Sequence, residues 1–461
     1  MAFIRPASES SPDSSNLHDH TGSREWPLLI LVIAAGFALR LGWALSVHSG
    51  LVPGLDMQAY FAAAKNLADG HGLTVRVVFG VGEMAGAGGG QALVFPPGYG
   101  LVLGATFKLF GSTLVAGKLL NVVVGTLTIP VVHFLAKRAY GAKVAPIAAL
   151  LFAVYPANIF WTSILYSDLV FTLPFAAAVF LGLSQAANPE PRGVLGFGVV
   201  VGLAAIVRPQ ALMVLFALIL YLCIRRLATR TIVETLLIAV MGVAVCVAPI
   251  SVWNTARAGH FVLVSENLGY NLRIGHSPNA DGRFTVPEDV AADTAAGHPP
   301  SDRELARRAV IYAVTHPMRE LELSARKIYF LYITDSNAIA LAATRSIGGE
   351  NPFWGSNQVA SRLVVTADVF AYSVVVLALL SVSMTFSLRD ERLFLWLIVF
   401  GWTGVHVLFF GDPRYHLPIL TILIPMASCG LAELWALVTS MTRGSPGSPM
   451  APQSSDPGTH K

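Results

Sequence analysis

Charge is scarce in this chain. Asp, Glu, Lys and Arg make up 13% of its 461 residues, whereas a soluble domain carries about 25%. That shortage excludes an ordinary water-soluble fold, and 54% hydrophobic residues with a mean hydropathy of +0.62 point the same way. The formal net charge of +4 is small and sits mostly in short loops, so it gives no support to a nucleic-acid partner. Cysteine is nearly absent too. Cys223, Cys246 and Cys429 all fall inside apolar segments, which excludes a disulfide framework built on loops. The histidines, among them His48, His71, His260, His276, His406 and His416, lack the HxxxH spacing of a helical metal site. No motif indicates a cofactor; the metal is unknown, and a divalent cation assembled from distant loops is left open. The glycine run at 85–90 lacks the Gly-Lys-Ser/Thr ending of a nucleotide loop. There is no internal repeat and no pair of matching broken helices, as many transporters have.

What is present is a series of apolar blocks of about 20 residues, each long enough to cross a hydrocarbon layer of about 30 Å. They predict an all-α polytopic membrane protein. Ten spans are expected, near 26–47, 114–136, 143–162, 168–185, 193–207, 210–226, 232–253, 363–386, 392–410 and 416–438. Residues 1–25 lack the basic start and cleavage site of a signal peptide and read as a disordered cytoplasmic tail, as do residues 439–461. Between them lie a transmembrane module at 26–253 with a first outer loop at 48–111, a long outer loop at 254–362, and C-terminal helices at 363–438. Residues 95–111 are opened by two prolines, contain Lys108, and read as a helix lying at the interface. The long loop carries a helical pattern over Asp302–Tyr332, interrupted at His316-Pro317, that suits a surface helix.

Sidedness follows from the basic residues. Lys137, Arg138 and Lys143, then Arg192, then Arg225, Arg226 and Arg230, then Arg389 and Arg392, and finally Arg443 occupy alternate turns. Short basic loops stay cytoplasmic. Both termini are therefore expected in the cytoplasm. Asp56, Asp168, the loop 254–362 and the turn 411–416 then share the outer face.

These outward residues suggest chemistry at the water–lipid boundary. Asp56 either caps the helix that follows or, in a partly desolvated pocket, takes a proton as general base. Asp168 is a second acid: it either caps the helix it begins or divides the labour with Asp56, one accepting a proton and the other orienting the acceptor or holding a cation. Tyr60 follows Asp56 at helical spacing, and Phe95-Pro96-Pro97-Gly98-Tyr99 stiffens the far end of the same loop. Arg208 before Pro209 either snorkels to headgroups or binds phosphate. Arg414, with Tyr415 and His416 beside it, reads as a phosphate-binding turn.

In order and sidedness, these pieces resemble the GT-C superfamily of membrane glycosyltransferases. The branch resembled is dolichyl-phosphate-mannose–protein mannosyltransferase-like and aminoarabinose-transferase-like (glycosyltransferase family 39-like). The resemblance rests on Asp56 with Tyr60, on Phe95–Tyr99 leading to Phe107-Lys108-Leu109-Phe110-Gly111, and on Gly202-Leu203-Ala204 before Arg208-Pro209. It continues with Asn267-Leu268-Gly269-Tyr270-Asn271 through Gly275, Thr315-His316-Pro317, and Arg414-Tyr415-His416-Leu417-Pro418. It implies a transferase moving a sugar from a polyprenyl-phosphate carrier to an extracytoplasmic acceptor (protein, lipid or glycan), with inversion. Asp56 would be the catalytic base and Asp168 the second acid. Tyr60, Pro97, Tyr99, Arg208, Arg414, Tyr415 and His416 would bind substrate, and membrane lipids would surround the spans. Met57 follows Asp56 where several members have an acid, and Leu93 and Val94 lack the acid used near a metal in the aminoarabinose branch. The competing reading is a lipid-linked-sugar flippase or an envelope-assembly protein. A flippase needs polar groups along a route through the bilayer. Few are evident in the spans, with Glu234 and Asp368 near span ends.

Overall fold

The computed structural model describes residues 19–47, 56–73, 77–79, 82–84, 95–344, 357–385 and 390–442. The glycine run at 85–90, Leu93, Val94 and the end segments 1–18 and 443–461 lie outside them. Apolar continuity without helix-period polarity makes helices that are greasy all round, as lipid requires. Six described helices are long and apolar enough to cross a membrane. They belong to α1 (Asp19–Ser46), α4 (Leu114–Tyr140), α7 (Ser167–Ala187), α10 (Thr229–Ala258), α16 (Asn357–Thr385) and α18 (Leu420–Thr442). A bent pair, α5 (Ala145–Val154) with α6 (Pro156–Phe160) and the 3-10 turn after it, makes a seventh span kinked by 52°. Three shorter apolar helices stand at the remaining expected positions: α8 (Pro191–Val207), α9 (Leu212–Ile224) and α17 (Arg392–Leu408). The protein is an all-helical, multi-pass membrane protein apart from one small hairpin, β1 (Val77–Phe79) paired antiparallel with β2 (Gly82–Met84).

Helix α1 begins at Asp19, inside the segment 1–25, and Glu25 on it is held by His133 at 2.9 Å and Lys137 at 2.7 Å on α4. Helix α18 likewise runs on to Thr442.

The spans also hold more buried charge than their composition advertises. Arg40 on α1 is completely buried. Its guanidinium donates to the carbonyls of Phe152 and Ala153 at 3.1 and 2.8 Å. Pro156 has no N–H to give the Phe152 carbonyl, which keeps only a long 3.4 Å bond from the Tyr155 amide, and Arg40 takes up the acceptor capacity left at the kink. Lys118 similarly donates to the Val47 carbonyl at 2.6 Å. Both cations are thus bonded to backbone carbonyls.

The outer layer is built from α2 (Asp56–Ala68), α3 (Pro97–Phe110), α11 (Leu268–Gly275), α12 (Glu288–Ala295), α13 (Asp302–Thr315), α14 (Pro317–Tyr332) and α15 (Asn337–Thr344). Helix α3 has 14 residues, about 21 Å of rise. It pairs with α2, where Lys108 donates to the Ala68 carbonyl at 3.2 Å. The expected break at His316-Pro317 separates α13 from α14. Leu323, Lys327 and Leu331 of α14 pack inward, while Met318, Leu321 and Tyr329 stay exposed. A second small core of Tyr270, Ile274, Val290 and Leu305 closes around Phe410, so the outer helices are anchored to the end of α17.

Candidate functional site

Four helix ends meet on one side of the bundle. Asp56 opens α2. Ser167 and Asp168 open α7. Arg208 ends α8, because a residue preceding proline is disfavoured in the helical region, and its φ of −148° and ψ of 115° are extended. The 3-10 turn Pro413–His416 follows α17, with Asp412 as its cap, accepting from the Arg414 amide at 3.0 Å.

The side chains form one connected cluster. Arg414 Nη1 donates to Asp56 Oδ2 at 2.7 Å, and its Nη2 donates to the Tyr415 hydroxyl at 3.1 Å. Arg208 Nη2 donates to Asp168 Oδ2 at 2.6 Å and its Nε to Ser167 Oγ at 3.1 Å. Tyr60 also donates to Ser167 Oγ, at 3.1 Å. The Tyr415 ring lies between the two cations, 4.9 Å from the Arg414 guanidinium carbon and 5.4 Å from that of Arg208. Such placements over a ring face stabilise guanidinium groups that have shed water. Arg414 is held protonated: burial opposes its charge, but Tyr415, Asp56 and Asp412 outweigh burial. Burial and then the Asp56 carboxylate push the Tyr60 hydroxyl upward, so it serves as a donor.

Beside this cluster lies a cavity of about 380 Å³. Asp56, Tyr60, Arg208, Arg414 and Tyr415 line it, together with Ser167 and His406. The wall also carries side-chain amides, Gln210, Asn267 and Asn271, and the aromatic rings of Tyr270, Phe284 and Phe410. Gln210 Oε1 is buried without a hydrogen-bond partner among the described residues.

Other residues read from the sequence take supporting positions. Asp168 is 1% exposed, is not part of the cavity wall, and is engaged by Arg208. Pro97 and Tyr99 are buried behind the wall. The Tyr99 ring meets Tyr60 edge-on at 4.8 Å, and Gly98 packs so tightly on α8 that a Cβ there would stand 2.7 Å from the Ile206 carbonyl oxygen. The Pro-Pro-Gly-Tyr turn therefore buttresses Tyr60 and the end of α8; Phe95 and Pro96 are its residues at the cavity. His416 is also off the wall, buried with its ring on Leu331 and Asp335. The sequence reading missed Ser167, Gln210, His406, Asn267 and Asn271 as cavity residues. Only the Asn267/Asn271 spacing, four residues apart on one helical turn, offered a signal.

Among the described residues, no three His, Cys, Asp or Glu side chains converge as a metal ligand set. Asp56, on the cavity wall, already engages Arg414, as does Asp412.

Comparison with known proteins agrees with this architecture. A family model described as dolichyl-phosphate-mannose-protein mannosyltransferase matches residues 95–253, from the start of α3 into α10. No curated protein matches the chain significantly in sequence. Among solved structures, the archaeal oligosaccharyltransferase AglB from Archaeoglobus fulgidus, in complex with an inhibitory peptide and a dolichol-phosphate, superposes with a TM-score of 0.55 at 13% identity. That match covers 93% of this chain and 53% of the other. The apo form of the Archaeoglobus fulgidus enzyme gives 0.53 at 13% identity, over 93% and 52%. ArnT from Cupriavidus metallidurans bound to undecaprenyl phosphate gives 0.40 at 14% identity, over 91% and 81%, too low to argue from. The chain thus spans about half the length of the oligosaccharyltransferases whose fold it shares. The family model over residues 95–253 agrees with the resemblance read from the sequence, and the likeness to the oligosaccharyltransferases is one of fold.

Proposed function

We propose that the protein is a membrane glycosyltransferase that moves a sugar from a polyprenyl-phosphate carrier to an acceptor on the extracytoplasmic side. The observation that carries this reading is the pairing of Arg414 with Asp56 at the wall of a cavity that Arg208 also lines. Two guanidinium groups that share one tyrosine ring suit a phosphate with oxygens on two sides. A prenyl tail stays in lipid, which puts the phosphate at the helix ends where both arginines stand.

The cluster holds three carboxylates (Asp56, Asp168, Asp412) against two guanidinium groups, so it has no surplus positive charge. A phosphate therefore enters by exchange. It takes Arg414 from Asp56, and the freed carboxylate turns to the acceptor hydroxyl. The hydroxyl oxygen attacks the anomeric carbon as the bond from that carbon to the phosphate oxygen breaks. The departing polyprenyl phosphate takes the electron pair, and the proton goes to Asp56. Arg414 and Arg208 stabilise the charge growing on the phosphate. One displacement inverts the anomeric centre. Asp168 acts through Arg208, which it holds in place. The amides of Gln210, Asn267 and Asn271, with the rings of Tyr270 and Phe284, suit the hydroxyls and faces of the sugar.

The test uses the full chain in lipid nanodiscs, supplied with polyprenyl phosphates bearing labelled mannose, glucose or aminoarabinose and an envelope extract as acceptor. The expected result is release of bare polyprenyl phosphate with label appearing in the acceptor. Absence of release from all three donors, with label crossing the bilayer of proteoliposomes, would instead establish the flippase reading.

A further inference from the structure

Two histidines outside the cavity hold the stretch that carries Arg414. His276, just past α11, places Nδ1 2.8 Å from Glu320 Oε2 on α14. Its Nε2 is 2.9 Å from the carbonyl of Leu408, the last residue of α17. His416 places Nδ1 2.7 Å from the Leu331 carbonyl and Nε2 2.8 Å from Asp335 Oδ1. In both cases a ring sits between a carbonyl and a carboxylate. A neutral imidazole has one N–H, and neither partner can supply a hydrogen unless the carboxyl is protonated. Each imidazole–carboxylate pair must therefore hold one extra proton, on the ring or on the acid, to make both bonds.

The two pairs bracket residues 408–416. Lys327, fully buried on α14, adds a third tie by donating to the Val407 carbonyl at 3.0 Å. The same stretch is gripped by close backbone contact. A Cβ at Gly275 would fall 1.7 Å from the Phe409 carbonyl oxygen, and one at Gly411 2.1 Å from that of Lys327. The charges facing His416 are Asp335, then Asp412 on its own turn, with Asp368 of α16 behind Asp335, Tyr155 at the α5–α6 break and His406 on α17. Those facing His276 are Glu320 and Lys327 of α14 and Arg273 of its own helix.

We propose that His276 and His416 are positioning residues, each sharing a proton with its carboxylate, that lock residues 408–416 and so present Arg414 to the lipid phosphate. The lock at His416 loosens as its proton leaves with rising pH. The part concerning phosphate rests on the function proposed above; the lock does not. At His416 burial opposes the charge, but Asp335, the Leu331 carbonyl and Asp412 together outweigh burial and raise its proton affinity above that of free imidazole. A raised folded value gives stabilisation that is complete below about pH 6.5 and is lost as pH rises through the folded value.

The test compares wild type with the double variant Glu320→Gln, Asp335→Asn in nanodiscs between pH 6 and pH 9. A side-chain amide can donate to the ring, so a neutral imidazole then satisfies both partners without the extra proton. Wild type is expected to lose thermal stability across this range while the double variant stays level. The binding probe is polyprenyl-phosphate mannose, a phosphodiester that keeps one negative charge throughout. Its wild-type affinity should fall about tenfold, which corresponds to a competent fraction of about one tenth, and that of the double variant should stay flat. A parallel loss of stability in both proteins would overturn the inference. If the stabilities diverge as expected but no carrier binds at any pH, the lock stands and the transferase reading falls.

Discussion

Replacing Asp56 by Asn should move two measurements in opposite directions. In the resting site Asp56 is the strongest competitor for Arg414, through a 2.7 Å bond between side chains 14% and 23% exposed. A hydrogen bond to a charged group contributes about 1.5–3 kcal/mol, and exposed ion pairs contribute about 0.2–1 kcal/mol. A half-buried pair lies between these ranges, at about 1–1.4 kcal/mol. Bare polyprenyl phosphate should then bind Asp56→Asn about five- to tenfold more tightly than wild type. Transfer should meanwhile drop by about 10²–10⁴, the usual loss when a general base is removed. The assay is equilibrium binding of the bare carrier in nanodiscs, paired with initial rates of carrier release at saturating donor. A purely structural Asp56 would weaken both. Weaker carrier binding by the variant would refute the exchange of Arg414 between carboxylate and phosphate, and transfer near the wild-type rate would remove Asp56 as the base.

Arg414→Lys keeps the charge but loses the planar fork. Carrier binding should weaken about ten- to hundredfold, the equivalent of one charged hydrogen bond; an unchanged dissociation constant would contradict phosphate recognition. Asp168→Asn leaves Arg208 buried against a neutral partner. Breaking such a pair costs about 3–5 kcal/mol, and the low end is expected because Arg208 lines the cavity. Thermal unfolding in nanodiscs should show a clear loss of stability that Asp56→Asn does not share. The pair Gln210→Leu and Asn271→Leu should narrow the difference in affinity between glycosylated and bare carrier while leaving bare carrier unaffected. Equal weakening of both ligands would place these amides away from the sugar.

The positions of Pro97, Tyr99 and His416 off the cavity wall show where reading the sequence stops. Their motifs stand beside residues that do reach the cavity, and a motif does not reveal which member faces it. Pro97 and Tyr99 point away because α3 is wedged between α2 and α8, with Gly98 pressed on the Ile206 carbonyl. Arg40 went unread for a related reason. One cation in an apolar block is uninformative until the carbonyls freed by Pro156 are seen next to it.

The sequence by itself determined the long apolar helices, the breaks at Arg208-Pro209 and His316-Pro317, and the short helix α3. These are local properties: apolar length, the missing N–H of proline and the placement of charge act within one or two turns. Only the tertiary structure decided that Arg414 meets Asp56 across 358 positions of chain and that Asp168 is committed to Arg208. It also made the loop segment with Asn267 and Asn271 a cavity wall. Those pairings depend on how helix ends converge. Packing among helices, together with the penalty on unpaired polar groups away from water, sets that convergence, and neither is encoded in any one stretch of residues.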